Sequence, residues 1–241
     1  MSYIQSFSRY EIKYLLTPLQ RERFMSRASM LSPDEYGSYT ICNIYLDTDD
    51  FYFITHSLDK PVYKEKLRIR SYGTASSDSE IFFEIKKKFK GIVYKRRIVV
   101  PISEAMAYIS EGVVPQSLSG YKSMQIFNEI DFLMKKYDPS PKLYLAYDRE
   151  AFSAEGGIRV TLDRNIRSRW SDLSLSSDSG TELLDTGVDD YSLMEIKCPA
   201  AFPSELAAVL SELEIYPTSF SKYGQIYKSS AAARKTKAFL T

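Results

Sequence analysis

Histidine occurs once in these 241 residues, as His56, and cysteine twice, as Cys42 and Cys198, far apart and outside any Cys-x-x-Cys spacing. A Cys/His zinc site and a histidine-based triad are thereby excluded. No apolar run approaches the roughly 20 residues that cross a bilayer, and Met1-Ser2-Tyr3 opens without the basic-then-apolar stretch of a secretory signal. The cytoplasm is the expected compartment. Charge of one sign is lacking too: 32 Lys+Arg stand against 31 Asp+Glu, a net +1. No Pro/Gly/Ser linker divides the chain before residue 168, so one domain over 1–241 is the simplest organisation. The biased stretch Ser168 to Ser192 contains the run Ser174-Leu175-Ser176-Ser177-Asp178-Ser179-Gly180 and reads as a surface loop flanking a short strand at Glu182-Leu183-Leu184.

What is abundant is period-two alternation. It predicts strands over 8–16, 40–46, 63–72, 80–89, 92–100, 143–152, 158–162 and 193–198. Helical spacing predicts helices over 18–31 behind Thr17 and Pro18, over 104–110 behind Ser103, over 124–137, over 203–213 behind Pro203, and over 223–235. Strands in groups with helices inserted between them make the fold class α+β: a largely antiparallel eight-stranded sheet, able to close into a barrel with helices packed outside.

The informative feature is which side chains share a strand face. Arg9, Glu11 and Lys13 alternate onto one face, as do Lys66, Arg68 and Arg70, then Glu84, Lys86 and Lys88, then Lys95 and Arg97. Later strands repeat this with Tyr147 and Arg149, with Arg159, Thr161 and Asp163, and with Glu195 and Lys197. The plainer reading is a wet sheet face. Three things weigh against it. Lys13, Lys66, Arg68, Arg70, Lys86, Lys95, Arg97, Arg149, Arg159, Lys197 and Lys222 are 11 cations; set against Glu11, Glu84, Asp163 and Glu195 they leave +7, so the rest of a +1 chain carries −6. Like charges on neighbouring strands repel, and a polyanionic ligand removes that cost. The opposite faces, such as Leu67 and Ile69 or Ile81, Phe83 and Ile85, are apolar. Finally, many Arg/Lys with a few lone carboxylates is a mixture suited to phosphate oxygens and a hard divalent cation. Nucleic acid is the other polyanion, but the aromatics alternate mostly away from the basic face and the chain has no overall basic excess, with a pI near 7.6.

The segments Arg9-Tyr10-Glu11-Ile12-Lys13-Tyr14, Lys66-Leu67-Arg68-Ile69-Arg70-Ser71-Tyr72, Phe83-Glu84-Ile85-Lys86, Tyr147-Asp148-Arg149, Arg159-Val160-Thr161-Leu162-Asp163, Glu195-Ile196-Lys197 and Ser221-Lys222-Tyr223 together resemble the VTC domain. That is the polyphosphate polymerase domain of the vacuolar transporter chaperone, within the triphosphate tunnel metalloenzymes. The resemblance implies a basic β-barrel tunnel that takes ATP and inorganic polyphosphate with Mn²⁺ or Mg²⁺. It implies that Arg68, Arg70, Arg149, Arg159 and Lys197 act on the reacting phosphates, and that Lys13, Lys66, Lys86, Lys95, Arg97 and Lys222 grip the chain, Arg97 by its face alone. Glu195 would be the leading metal ligand, with Glu11 and Glu84 in support. The related CYTH enzymes open with Glu-x-Glu-x-Lys; Arg9 stands at the first of those positions here and tilts the reading towards the polymerase branch. Nothing in the chain resembles the phosphate-sensing domain or membrane helices of eukaryotic relatives. A standalone domain is expected, and any membrane partner would be a separate protein.

The expected activity is therefore metal-dependent transfer of the γ-phosphoryl of ATP onto a growing polyphosphate chain. A tripolyphosphate or nucleoside triphosphate hydrolase and a non-catalytic polyphosphate sensor are the alternatives. Smaller signals read plainly: His56 as a loop or strand-edge residue, Cys198 as a small buried one, and Asp47, Asp49 and Asp50 as a turn closing a strand. Trp170 would anchor the Ser-rich loop or rim the tunnel, and Lys87 should face away from Lys86 and Lys88.

Overall fold

Alternation along the chain becomes nine strands, and helical spacing becomes six helices, in the computed structural model, which describes residues 10–90, 92–199 and 202–230. In chain order they are β1 (Tyr10–Leu16), α1 (Pro18–Arg27), β2 (Ser32–Asp47), α2 (Tyr52–Leu58), β3 (Tyr63–Tyr72), β4 (Glu80–Phe89), β5 (Ile92–Pro101), α3 (Ile102–Glu111), α4 (Tyr121–Tyr137), β6 (Ser140–Ala154), β7 (Ile158–Arg169), β8 (Glu182–Leu183), β9 (Ser192–Cys198), α5 (Ser204–Glu212) and α6 (Lys222–Ser229). The sheet path is β1-β9-β7-β6-β2-β3-β4-β5, with β8 paired to β7 off that path. The resolved β1–β9, β9–β7, β2–β3, β3–β4 and β4–β5 registers are antiparallel. The α+β class and the antiparallel eight-strand path hold as expected. β1 and β5 are the two ends of the path, with no hydrogen-bonded pairing between them among the described residues.

Contacts group the described residues into two compact units: 10–40 with 147–166 and 183–221, and 41–146 with 167–182 and 222–230. In the first, the apolar faces of β1, β9 and β7 supply Tyr14, Met194, Ile196, Val160 and Leu162, which pack with Phe24 of α1 and Leu206 and Leu210 of α5. Helix α1 begins where its sequence says it should. Thr17 accepts from the Gln20 amide, the Gln20 side chain answers the Thr17 N–H, and Pro18 needs no donor at the first helical position. In the second unit Ile44, Leu46, Leu67, Ile69, Phe83 and Ile85 pack against Ala105 and Tyr108 of α3 and Phe127, Ile130 and Leu133 of α4. The opposite face of the same strands is thereby left to the charged residues.

Several expectations change. His56 lies in α2, a helix without a strong apolar period, and neither in a loop nor at a strand edge. Helix α3 starts at Ile102 behind Pro101, with no side-chain cap, so Ser103 lies inside it. Strands β2 and β7 run longer than read, over Ser32–Asp47 and Ile158–Arg169. The Ser-rich stretch is not wholly superficial: Leu175 joins the core, and its carbonyl accepts from the Ala75 amide. Arg169 gathers the stretch by donating to the carbonyls of Asp172, Ser174, Ser177 and Ser179. Trp170 packs edge-on against Phe51, as an anchor would. Ser8, Arg9 and residues 231–235, at the ends of the first strand and last helix as read from sequence, lie outside the described residues.

Asp47 does close a strand, and it also starts a helix. Phe51, the residue before α2, sits at φ 60° and has no side chain that could cap. Asp47 substitutes for it: its carboxylate accepts from the amides of Thr48 (2.9 Å), Phe53 (2.8 Å) and Ile54 (3.1 Å), and from the Tyr223 hydroxyl of α6 (2.9 Å). Complete burial pushes the carboxyl up from its ordinary value, and the four bonds pull it only part of the way back. Asp47→Ala leaves those amides without a partner and is expected to cost about 2–4 kcal/mol in a urea titration. A loss under about 0.5 kcal/mol would contradict this role.

Candidate functional site: two cation-rich sheet faces

In the second unit, register decides what the charges do. Tyr45, Arg68, Glu84 and Arg97 stand opposite one another across β2, β3, β4 and β5, as do Asn43, Arg70, Phe82 and Val99. The next row is Lys66, Lys86 and Lys95, three lysines directly opposed on three adjacent strands. Directly opposed like charges destabilise a sheet unless something neutralises them. Glu84, 1% exposed, neutralises part of this charge. One carboxylate oxygen accepts from Arg68 at 2.8 Å with Arg70 Nε at 3.7 Å; the other is 2.7 Å from Lys95 Nζ and 4.0 Å from Arg97. Burial would raise its pKa, but Arg68, Arg70 and Lys95 overcome this and hold it at about 2. Lys87 and Arg96, on the opposite face, pair with Glu129 of α4, as expected for Lys87.

Two groups on this face titrate near neutrality. Burial alone would push the Tyr45 phenol up, yet Arg68, Lys66 and Arg70 bring it down to about 8. Its hydroxyl accepts from Arg68 at 2.9 Å, and its ring lies 4.8 Å from that of Tyr223. Desolvation, with Arg70 and Arg68 working against Glu84, brings Lys95 down to about 7 although its side chain keeps 39% exposure. Asn43 holds Arg70 in turn: its side-chain oxygen accepts from Arg70 Nε at 2.9 Å while its amide donates to the Leu145 carbonyl at 3.0 Å. Arg97 lies over the Phe82 ring at 4.3 Å. Lys222 opens α6, the helix whose Tyr223 is bound to Asp47.

In the first unit the rows across β1, β9 and β7 read Glu11, Lys197, Arg159, then Lys13, Glu195, Thr161. Glu195, 8% exposed, has Lys197 Nζ at 2.6 Å from one oxygen and Lys13 Nζ at 3.7 Å from the other. Lys13 also donates to the Phe220 carbonyl at 2.9 Å. Arg149 of β6 is held by both oxygens of the buried Asp163, at 2.6 and 2.8 Å, and lies over the Tyr147 ring. Arg159 is more open, with its side chain 52% exposed and 3.6 Å from Asp34. Glu11 is exposed.

The candidates thus fall into two sets. One holds Lys66, Arg68, Arg70, Glu84, Lys86, Lys95, Arg97 and Lys222; the other holds Glu11, Lys13, Arg149, Arg159, Glu195 and Lys197. Arg9, the departure from the CYTH opening, lies outside the described residues. Among the described residues no three Asp, Glu, His or Cys side chains gather as a self-sufficient metal cage. Glu195 alone fits a hard cation of the kind that takes one carboxylate and fills its other positions with water and substrate phosphates. Both cysteines are buried, and burial pushes their thiols up, away from nucleophile chemistry. Sequence reading missed Asn43 and Tyr45, and read Asp47 only as a turn residue, although alternation against Cys42, Ile44 and Leu46 places all three on the charged face.

The family model described as the VTC domain matches residues 8–231, and the chain belongs to that family. The resemblance read from the ordered basic motifs is therefore correct. No curated protein matches the chain. Among solved structures, a Bacillus halodurans protein described as a candidate adenylate cyclase is 18% identical with a TM-score of 0.52, over 92% of this chain and 96% of that one. It shares the fold. A candidate adenylyl cyclase from Hippeastrum, HpAC1, described as having a dominant triphosphatase activity, is 14% identical with a TM-score of 0.48, over 91% and 94% of the two chains. A likeness at that level bears no weight here. No described helix is long and apolar enough to cross a membrane.

Proposed function

We propose that this chain is a metal-dependent polyphosphate polymerase, transferring the γ-phosphoryl of ATP to a growing inorganic polyphosphate chain and releasing ADP. The observation that carries the reading is the directly opposed row Lys66, Lys86 and Lys95 beside Arg68 and Arg70, a concentration of cations for which an anionic ligand is the natural complement. Membership of the VTC domain family supports it.

In this reading each face stabilises phosphate oxygens with its own arginines, Arg68 and Arg70 on one and Arg149 and Arg159 on the other, which is charge stabilisation more than covalent chemistry. Lys197 acts with Arg149 and Arg159 at the reacting phosphates. Lys13, Lys66, Lys86, Lys95, Arg97 and Lys222 hold the chain. The acceptor is a terminal phosphate, already ionised near neutral pH, so a site with neither a histidine nor a reactive cysteine base suffices, and orientation does the rest. Glu195 would hold Mn²⁺ or Mg²⁺, with Glu11 nearby on the neighbouring strand; a cation bound there neutralises phosphate oxygens. We assign Glu84 to the cations around it and not to the metal, since it is 1% exposed and its carboxylate meets Arg68, Arg70 and Lys95 together. Asn43 and Asp163 are positioning residues for Arg70 and Arg149.

Product analysis tests the proposal: purified chain, ATP and Mn²⁺, with and without a short polyphosphate primer, resolved on a gel stained for polyphosphate. Chains with matching ADP are expected. Orthophosphate without chains would make the protein a hydrolase, and tight binding without turnover a sensor.

The pH dependence has a definite sign. Rising pH removes the charge of Lys95 near 7 and adds that of Tyr45 near 8, so both steps make the face less positive. Sulfate, whose own charge is constant over this range, isolates the effect. Its affinity is expected to fall about tenfold between pH 6 and 9, the size of one to two unit charges screened at a protein surface. An affinity constant over that range would contradict it.

A further inference from the structure

Thr161 is 2% exposed, and among the described residues its hydroxyl has no hydrogen-bond partner. Its neighbours Val160 and Leu162 point into the apolar core of the first unit, so Thr161 faces the other way, with Arg159 and Asp163. It stands directly opposite Glu195 on β9, and beyond Glu195 in the same row is Lys13. Buried polar groups are paired with few exceptions, and each exception calls for a reason. Valine has nearly the shape of threonine and would fill this position without an orphaned hydroxyl. The hydroxyl is therefore a buried donor that no described residue engages, on the face that carries Glu195 and Lys13.

We propose that Thr161 Oγ1 donates a hydrogen bond to a phosphate oxygen of the bound triphosphate or polyphosphate, making Thr161 a binding residue of the Glu195 subsite. The inference rests on the polyphosphate reading above and adds a neutral donor to it. Around Thr161 the chain offers Lys13, Lys197, Arg149 and Arg159, all long side chains. A threonine held in a strand by its β-branched side chain fixes one oxygen with little rotamer freedom to lose. It would add a short, fixed donor to the register that the arginine forks set.

Inorganic tripolyphosphate is the probe, titrated calorimetrically with and without Mn²⁺ into wild type, Thr161→Val and Thr161→Ser, with ligand-free melting measured on each. Thr161→Val is expected to bind about tenfold more weakly under both conditions, Thr161→Ser within about twofold of wild type, since only the methyl is lost. Thr161→Val should melt no lower than wild type without ligand. Equal affinity for Thr161→Val, or a lower melting temperature with binding unchanged, would overturn the proposal, the second by making the hydroxyl a structural group. A loss seen only with Mn²⁺ would also overturn it, assigning the hydroxyl to a metal-bound water. If wild type itself binds no tripolyphosphate, the polyphosphate reading falls and this inference with it; if wild type binds and the variants match it, only this inference falls.

Discussion

Glu195→Gln is expected to lower Mn²⁺-dependent turnover by on the order of 10²-fold or more, the scale seen when one group serving transition-state charge is removed, while leaving the fold intact. The substitution keeps the shape of the side chain and removes a carboxylate flanked by Lys197 at 2.6 Å and Lys13 at 3.7 Å. Amide oxygen is a much poorer ligand for a hard cation. The same change takes one negative charge out of the face, so tripolyphosphate should bind the variant at least as well as wild type when metal is absent. Opposite movements of metal-dependent activity and metal-free affinity separate loss of a metal ligand from general damage to the site. Turnover at the wild-type level would remove the metal role from Glu195.

The largest stability effect is expected at Glu84. Its carboxylate is almost fully buried and meets Arg68, Arg70 and Lys95, with Arg97 at the edge of range. Removing one member of a buried charge cluster leaves the others uncompensated, and Glu84→Ala should cost about 3–5 kcal/mol at neutral pH. The sign with pH follows from a folded pKa of about 2 against an unfolded value of 4.5. The stabilisation is complete above the unfolded value and is lost as pH falls from there towards 2. Wild type should therefore lose stability over that window, and the variant should lose less. Tripolyphosphate, by supplying anionic oxygens to the same cations, should return part of the lost stability. Unchanged stability at neutral pH would show that the guanidinium and ammonium groups do not depend on Glu84.

How much of this is legible in the chain differs by element. Strands β3 and β4 are bounded as read, because alternation runs through Lys66–Arg70 and Ile81–Lys86 and the segment between the strands carries Gly73 and polar turn residues. The cation-bearing face follows from the same alternation. Helix α2 is not legible: it is short, lacks a clear apolar stripe, and is begun by Asp47 from outside, behind a left-handed Phe51. Tyr45 escapes notice because an aromatic residue in a strand is ordinary; only its bond to Arg68 and its contact with Tyr223 mark it out. Glu84 and Glu195 look alike in sequence, each in Glu-Ile-Lys. They part in the structure because Glu84 has arginines and a lysine on flanking strands, whereas Glu195 stands between a lysine and an unpartnered threonine. Cross-strand register, which decides both, is set by turns and by packing over the whole sheet and cannot be read within one strand.

The opposed cations form a surface suited to a polyanion. Calorimetric titration of the ligand-free chain with inorganic tripolyphosphate, near neutral pH and at two salt concentrations, tests it most directly. Saturable binding that weakens as salt screens the face is expected; heats no larger than dilution at low salt would show that the opposed cations do not bind a polyanion.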